Sequence, residues 1–379
     1  MSSDSWEAEM DTEYVETVII GAGQAGLSTG YHLRRRGRPF VILDANDRIG
    51  DNWREQWDSL RLYTPVRYDG LPGMRFPGRR WEFPGKEDVA DYLESYAAHF
   101  ELPVRTHTRA QRVAPDGAGY LVTTADRQIR CDNVVVATGT FGRTPDIPEF
   151  AVDLDPAIHQ LHSSQYRRPA QLPDGPVLVV GASHSGTDVA YELAETRPTT
   201  LCGRDCGQFP LRLESRRTRL AAPVLVFVAR HVLSRRTPIG RKMMGEVRAH
   251  GGPMLRVQRE DLEARGVRRT ESRVVGVRDG HPLLDDGRVM RVASVVWCTG
   301  FRQVFDWIDV PGIEDAGWPP EHRGVVDLAP GLFFCGLSFQ SAFSSNLLLG
   351  AGRDAEYVVR RITGRRVETA TTATAAERV

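Results

Sequence analysis

Lysine is almost missing from this chain of 379 residues: Lys86 and Lys242 stand alone, and arginine supplies the remaining positive charge. Lys+Arg and Asp+Glu are equal at 49 each, so the net charge is zero. A protein that neutralises a run of phosphates leaves a basic excess, so no nucleic-acid partner is expected. Cysteine is sparse too. Cys131, Cys202, Cys206, Cys298 and Cys335 are odd in number and scattered, which excludes a disulfide-stapled secreted domain. No apolar run reaches the roughly 18 residues of a membrane span. The longest, Leu220–Leu233, is broken by Pro223, Arg230 and His231. The N-terminus, MSSDSWEAEMDTE, is acidic and has no apolar centre, so it is not a signal peptide. A cytoplasmic protein is expected, with residues 1–13 as a leader and 365–379 as a Thr/Ala-rich tail that has little to bury.

What is present is an alternation of apolar strands and helical patterns. Tyr14–Ile20 reads as a strand ending at a glycine loop, Leu27–Arg36 as a helix and Phe40–Leu43 as a second strand. This order requires a parallel sheet, because parallel neighbours need a crossover. The same unit recurs in Val177–Val180, the loop Gly181–Gly186, Thr187–Glu195 and Thr199–Cys202. Two further strands, VVVATG at Val134–Gly139 and SVVWCTG at Ser294–Gly300, both close on Thr-Gly. Arg127–Arg130 and Gly287–Met290, just before them, read as hairpin strands. Thr144–Pro148 and Arg168–Pro176 read as linkers.

The loop Gly21-Ala22-Gly23-Gln24-Ala25-Gly26 fits G-x-G-x-x-G. Its first glycine allows the tight turn and its second lets backbone N–H groups approach a pyrophosphate. The third lets helix and strand pack closely, with the helix N-terminus favouring negative charge. Asp44 ends the next strand about 20 residues on, where an acid can accept from ribose hydroxyls. FAD is the expected occupant. Gly181-Ala182-Ser183-His184-Ser185-Gly186 is a looser copy, with Ser183 as its middle residue. Arg204 stands where an acid would, which suits a 2′-phosphate and favours NADPH. His184 should turn its backbone to the pyrophosphate and its side chain to solvent or the cofactor edge. Cys202 and Cys206, on the adenosine side, read as bystander thiols.

With these loops, the segments Arg48–Pro65 (RIGDNWREQWDSLRLYTP), Trp297–Phe301 (WCTGF) and Gly331–Leu337 (GLFFCGL) resemble the flavin-containing monooxygenases, particularly the bacterial and plant YUCCA-like forms. The resemblance covers nearly all of residues 14–362. It implies an α/β fold of two Rossmann-like dinucleotide-binding domains. An FAD domain would comprise 14–168 and 294–364, with an NAD(P)H domain, 169–293, inserted in it. It also implies that Ala45, Asn52, Trp53 and Arg54 lie near the flavin, with Thr138, Gly139, Thr299 and Gly300 at domain-connecting strand ends. Gly336, Asn346 and Leu347 would approach from the C-terminal segment. Two features depart from the family pattern. In its F-x-G-x-x-x-H motif only the end, His162–Tyr166, matches, since Pro156 and Ile158 replace the Phe and Gly. The Asn common near the oxygen-reacting edge of the flavin is replaced by Tyr63 or Thr64.

The chemistry so implied runs from NADPH to flavin to O₂ through a C4a-(hydro)peroxyflavin. Oxygen would pass to a small, aromatic or apolar organic substrate by N- or S-oxygenation or Baeyer–Villiger-type reaction. Candidates near the flavin are Trp53, Tyr63, Thr64 and Asn346. No acid/base pair stands out and no metal is expected. Trp53, Trp57, Tyr63, Tyr68, Phe76, Trp81 and Phe83 crowd one segment that reads as a long ordered loop lining a pocket. Two other readings stay open. One is a flavoprotein reductase serving a protein or quinone acceptor; the other is a cofactor-binding module without turnover. The basic stretch Gly203–His250 around Leu220–Leu233 suits a packed helical insertion, a lid, a homodimer contact or a membrane-surface helix.

Overall fold

Two strands, each running straight into a glycine turn, organise the fold. The computed structural model describes residues 12–140, 144–249, 251–313 and 317–365. Thr17–Ile20 and Val177–Val180 are buried along their whole length, as four-residue apolar strands covered on both faces must be. Around Thr17–Ile20 the sheet order is Leu332–Phe334, Asn133–Val136, Thr17–Ile20, Phe40–Leu43, Val104–Arg105, all parallel. Around Val177–Val180 it is His159–His162, Ser294–Trp297, Val177–Val180, Thr199–Cys202, Arg268–Thr270, again all parallel. The mixed α/β architecture expected from the repeat is present. VVVATG and SVVWCTG occupy matching positions beside the two central strands.

Several boundaries differ from the sequence reading. Ser294–Trp297 and His159–His162 were allotted to the first unit but are hydrogen-bonded in the second sheet. Ser294–Trp297 and Asn133–Val136, Val-rich strands of one length, carry no mark of which of two similar sheets each joins. The crossing between units lies further out, where Thr144–Pro145 pairs antiparallel with Phe301–Arg302. Tyr14–Ile20 is two strands: Thr17–Ile20 enters the five-stranded sheet, and Thr12–Tyr14 pairs with Gln128–Cys131 in a separate four-stranded one. Thr12 and Glu13 are therefore structural rather than leader, and Glu13 is ion-paired with Arg105. The leader's residues 1–11 and the tail beyond Arg365 lie outside the described residues. Gln128–Cys131 forms the expected hairpin with Gly119–Thr123. Gly287–Met290 does not form a strand; the hairpin there is Val274–Arg278 with His281–Leu284.

The helices after the glycine turns are Gln24–Arg34 and His184–Leu193. The first packs along Leu348–Gly364, whose Ala355, Val358, Val359 and Ile362 share a core with Leu27 and Leu33. The basic stretch forms Arg216–Phe227, a π-helical turn Val228–Val232, and Pro238–Ala249. It reaches back to the first unit. Arg235 and Arg248 both pair with the buried carboxylate of Glu321, and the Phe343 amide donates to the Leu233 carbonyl.

Candidate functional site

The first turn is built by exclusion and by one opening. Gly21 has φ +107°, and a Cβ there would stand 2.6 Å from the Ala137 carbonyl oxygen. A Cβ on Gly26 would stand 1.8 Å from the Gly21 oxygen. These two glycines are demanded by packing. At Gly23 a Cβ would meet no atom within 4 Å. Packing does not need that glycine, but a group resting on the backbone does. The buried Asp44 accepts from the Ala22 amide at 2.6 Å and the Asn46 amide at 2.8 Å, so it orients the turn. The Gln24 side chain donates to the Asn346 carbonyl at 3.2 Å. A Cβ on Gly336 would lie 2.7 Å from that of Ala25. The C-terminal segment with Leu347, the N-cap of the last helix, is thus held against the start of the first one.

Asp51–Arg54 is a single helical turn. Asn52 is exposed and Trp53 is half-buried, packing against cores of both units. Arg54 is engaged elsewhere: its guanidinium donates to Asp51 at 2.9 Å, Asp91 at 2.9 Å and Glu94 at 3.2 Å. Its role here is to fasten the turn to the helix Lys86–His99. Ala45 is partly exposed beyond Asp44 and Thr138 is exposed, with Gly139 at φ +89°.

The second turn repeats the geometry. Gly181 has φ +106°, and Cβ atoms on Gly181 and Gly186 would stand 2.3 Å from the Cys298 oxygen and 1.7 Å from the Gly181 oxygen. Neither helix has a side-chain N-cap or an acid in its first turn, leaving first-turn N–H groups for an anion. Ser183 differs from its counterpart Gly23. Its hydroxyl donates to the Gly252 carbonyl at 2.9 Å. His184 does not point to solvent. Its ring lies 5.2 Å from that of Tyr63, and its Nε2 is sealed from solvent without a partner. Burial pushes its pKa down to about 4, so the ring is neutral at pH 7. Ser185 is partly exposed, as is the turn it belongs to. Arg204, past the Thr199–Cys202 strand, is exposed, and among the described residues no ion pair involves it. The Thr299 hydroxyl donates to the Asp146 carbonyl at 2.5 Å, and the Gly300 carbonyl meets His162 Nε2 at 3.0 Å. This Thr-Gly and the family-motif histidine hold the crossing between units.

Two neighbouring residues of the aromatic segment reach two buried carboxylates. The Tyr63 hydroxyl donates to Asp188 at 3.1 Å, and Arg256 donates to the same oxygen at 3.1 Å. Thr64 donates to Asp69 at 2.5 Å, while the other Asp69 oxygen has no partner. Burial raises both carboxyls. Arg256 opposes the rise at Asp188, whereas Asp69 has no cation and is pushed up to about 7. Asp69, Asp188 and Arg256 escaped sequence reasoning. Each lies in an ordinary helix or loop context, and only the fold brings them to Tyr63 and Thr64. The aromatic segment is largely irregular, as read, and Tyr63, Trp81 and Phe83 line a hollow with Leu213, Thr218 and Ala222 of the basic stretch. All five cysteines are free thiols, and Cys202 is buried.

Residues 18–206 match a family model described as pyridine nucleotide-disulphide oxidoreductase. The chain is 36% identical over 360 residues to an uncharacterized oxidoreductase, CzcO, of Bacillus subtilis, covering 92% of this chain and 99% of that one. It is 28% identical to the probable indole-3-pyruvate monooxygenase YUCCA3 of Arabidopsis thaliana, covering 92% and 86%. The flavin-containing monooxygenase from Stenotrophomonas maltophilia superposes with a TM-score of 0.73 at 28% identity, covering 93% and 99%. With two parallel sheets, two glycine turns and full-length likeness in agreement, the chain belongs to the flavin-containing monooxygenase family of two-dinucleotide flavoproteins.

Proposed function

We propose that this chain is an FAD-dependent monooxygenase that draws its electrons from NADPH and oxygenates a small aromatic or apolar molecule. The observation that carries the reading is the Tyr63–Asp188 hydrogen bond. Through it, the aromatic segment of the first unit closes on the helix that follows the second glycine turn.

The residues present fit both groups. The opening at Gly23 and the uncapped helix at Gln24 suit the FAD pyrophosphate, with Asp44 and Ala45 on the ribose side. Asn52, Trp53, Thr138, Gly139, Gly336, Asn346 and Leu347 would surround the rest of FAD. The backbone of Gly181–Gly186 suits the NADPH pyrophosphate, and the exposed Arg204 suits its 2′-phosphate. Bound flavin supplies the hard chemistry: it accepts a hydride and, once reduced, activates O₂. The chain's own contribution is positional. Trp53 and Tyr63 exclude water from the junction, and the Asp188–Arg256 pair holds the Tyr63 ring in place. The apolar hollow beside Tyr63 selects the substrate class. Arg54, engaged by Asp51, Asp91 and Glu94, would act on the site by fastening the turn that carries Trp53.

The test follows the yellow protein anaerobically with NADPH and then admits oxygen. Bleaching by NADPH, followed by reoxidation that a substrate amine, sulfide or ketone couples to product, is expected. Immediate return to oxidised flavin with stoichiometric peroxide under every substrate would instead identify a reductase or oxidase. Absence of bleaching would leave a binding module.

A further inference from the structure

The helix Arg216–Phe227 has two unlike sides. Thr218 and Ala222 are buried and face the hollow lined by Tyr63, Trp81 and Phe83. On the opposite side, Leu220, Val224 and Phe227 are 83%, 64% and 57% exposed. Spaced four and three residues apart, they form a single stripe. Among the described residues, no other helix or strand presents three large apolar side chains to solvent. Arg216 continues the stripe one turn toward the N-terminus with Arg217 beside it, whereas Arg219 lies on the side of the hollow. Arg236, Arg241 and Lys242 follow just beyond, and all six are exposed. Over residues 214–246 these six exposed cations face two exposed carboxylates, Glu214 and Glu246. The whole chain is neutral, so this excess is a local feature.

We infer that this face docks on an anionic lipid surface. An apolar stripe flanked by arginines is what the boundary between acyl chains and acidic headgroups accommodates. A second copy is a poorer occupant. A two-fold contact sets the patch against itself, and here that would press cations on cations. Among the described residues no helix is long and apolar enough to cross a membrane, so the attachment is peripheral. Arg235 and Arg248, both paired with the buried Glu321, hold the basic stretch to the first unit. The inference stands on exposure and charge and does not depend on the proposed reaction.

The test is co-sedimentation of the flavin-loaded full chain with vesicles of phosphatidylcholine alone or mixed with phosphatidylglycerol. Binding to the anionic vesicles is expected to be at least tenfold tighter and to weaken with salt. Leu220→Ser/Val224→Ser/Phe227→Ser should lose about tenfold or more, and Arg216→Gln/Arg217→Gln roughly fivefold per cation. All these side chains are exposed, so circular dichroism should match wild type. Val224→Trp should shift its emission to the blue on anionic vesicles. Vesicle binding that is absent, or that the serine variant leaves unchanged, overturns the inference. So does a dimer in sedimentation velocity that the serine variant converts to monomer, because the stripe would then be covered by a second copy.

Discussion

The two glycine turns are built on one plan and finished differently. Both use a left-handed first glycine, and a last glycine whose Cβ would stand within 2 Å of a carbonyl oxygen. Both open a helix with no side-chain cap. The first turn is then steadied from below by Asp44 and left open at Gly23. The second is tied from above: Ser183 is bonded to Gly252, and His184 is enclosed beside Tyr63. The plan follows from steric rules that hold for any such turn. The finish does not follow from those rules and differs between the two turns.

The largest effect that would sharpen the contrast is within the first turn. Gly26→Ala forces helix and strand apart and should cost on the order of 3 kcal/mol or more in thermal melting. Gly23→Ala, with nothing to strike, should melt within about 0.5 kcal/mol of wild type yet lose flavin absorbance per mole of protein. A Gly23→Ala protein with a full flavin load would remove the reason for the opening.

The buried carboxylates beside Tyr63 and Thr64 extend the comparison. Asp69 ionises near 7 in the folded chain and near 3.9 when unfolded, so the folded state holds the proton more tightly. Its contribution to stability is therefore best at low pH. It declines as pH rises from about 4 to about 7, and the loss is then constant. Asp69→Asn should flatten that slope and stabilise the protein at pH 8 by up to about 4 kcal/mol. An unchanged pH profile in denaturant melts would show that burial does not raise the Asp69 carboxyl.

Arg204→Ala is expected to raise KM for NADPH about 10- to 100-fold, with little change for NADH. Equal effects on the two cofactors would deny it the 2′-phosphate. Ser183→Ala is expected to leave the cofactor content untouched. Losing the bond to Gly252 should cost about 1 kcal/mol without altering flavin content. Flavin loss in that variant would break the division of labour between the turns.

How much could be read in advance differs by element. The glycines of the two turns are legible because they meet local backbone requirements. The allotment of strands to sheets was not, since Ser294–Trp297 looks like Asn133–Val136 at every level of pattern. Arg54 was read as a cofactor contact from its place in a motif, yet three carboxylates from the helix Lys86–His99 and its own turn claim it. For His184 the turn allows solvent or the cofactor edge; only the return of residues 251–253 encloses its ring.

By itself, then, the sequence determined two dinucleotide turns, their parallel-sheet setting and their order, because φ angles, close approach and helix N-termini are local matters. Only the tertiary structure decided what those turns are tied to. Tyr63 meets Asp188 across 125 residues, and Ser183 meets Gly252 across 69. Which side of Arg216–Phe227 faces the hollow was settled in the same way. Such pairings depend on how separate layers pack, and no spacing along the chain records them.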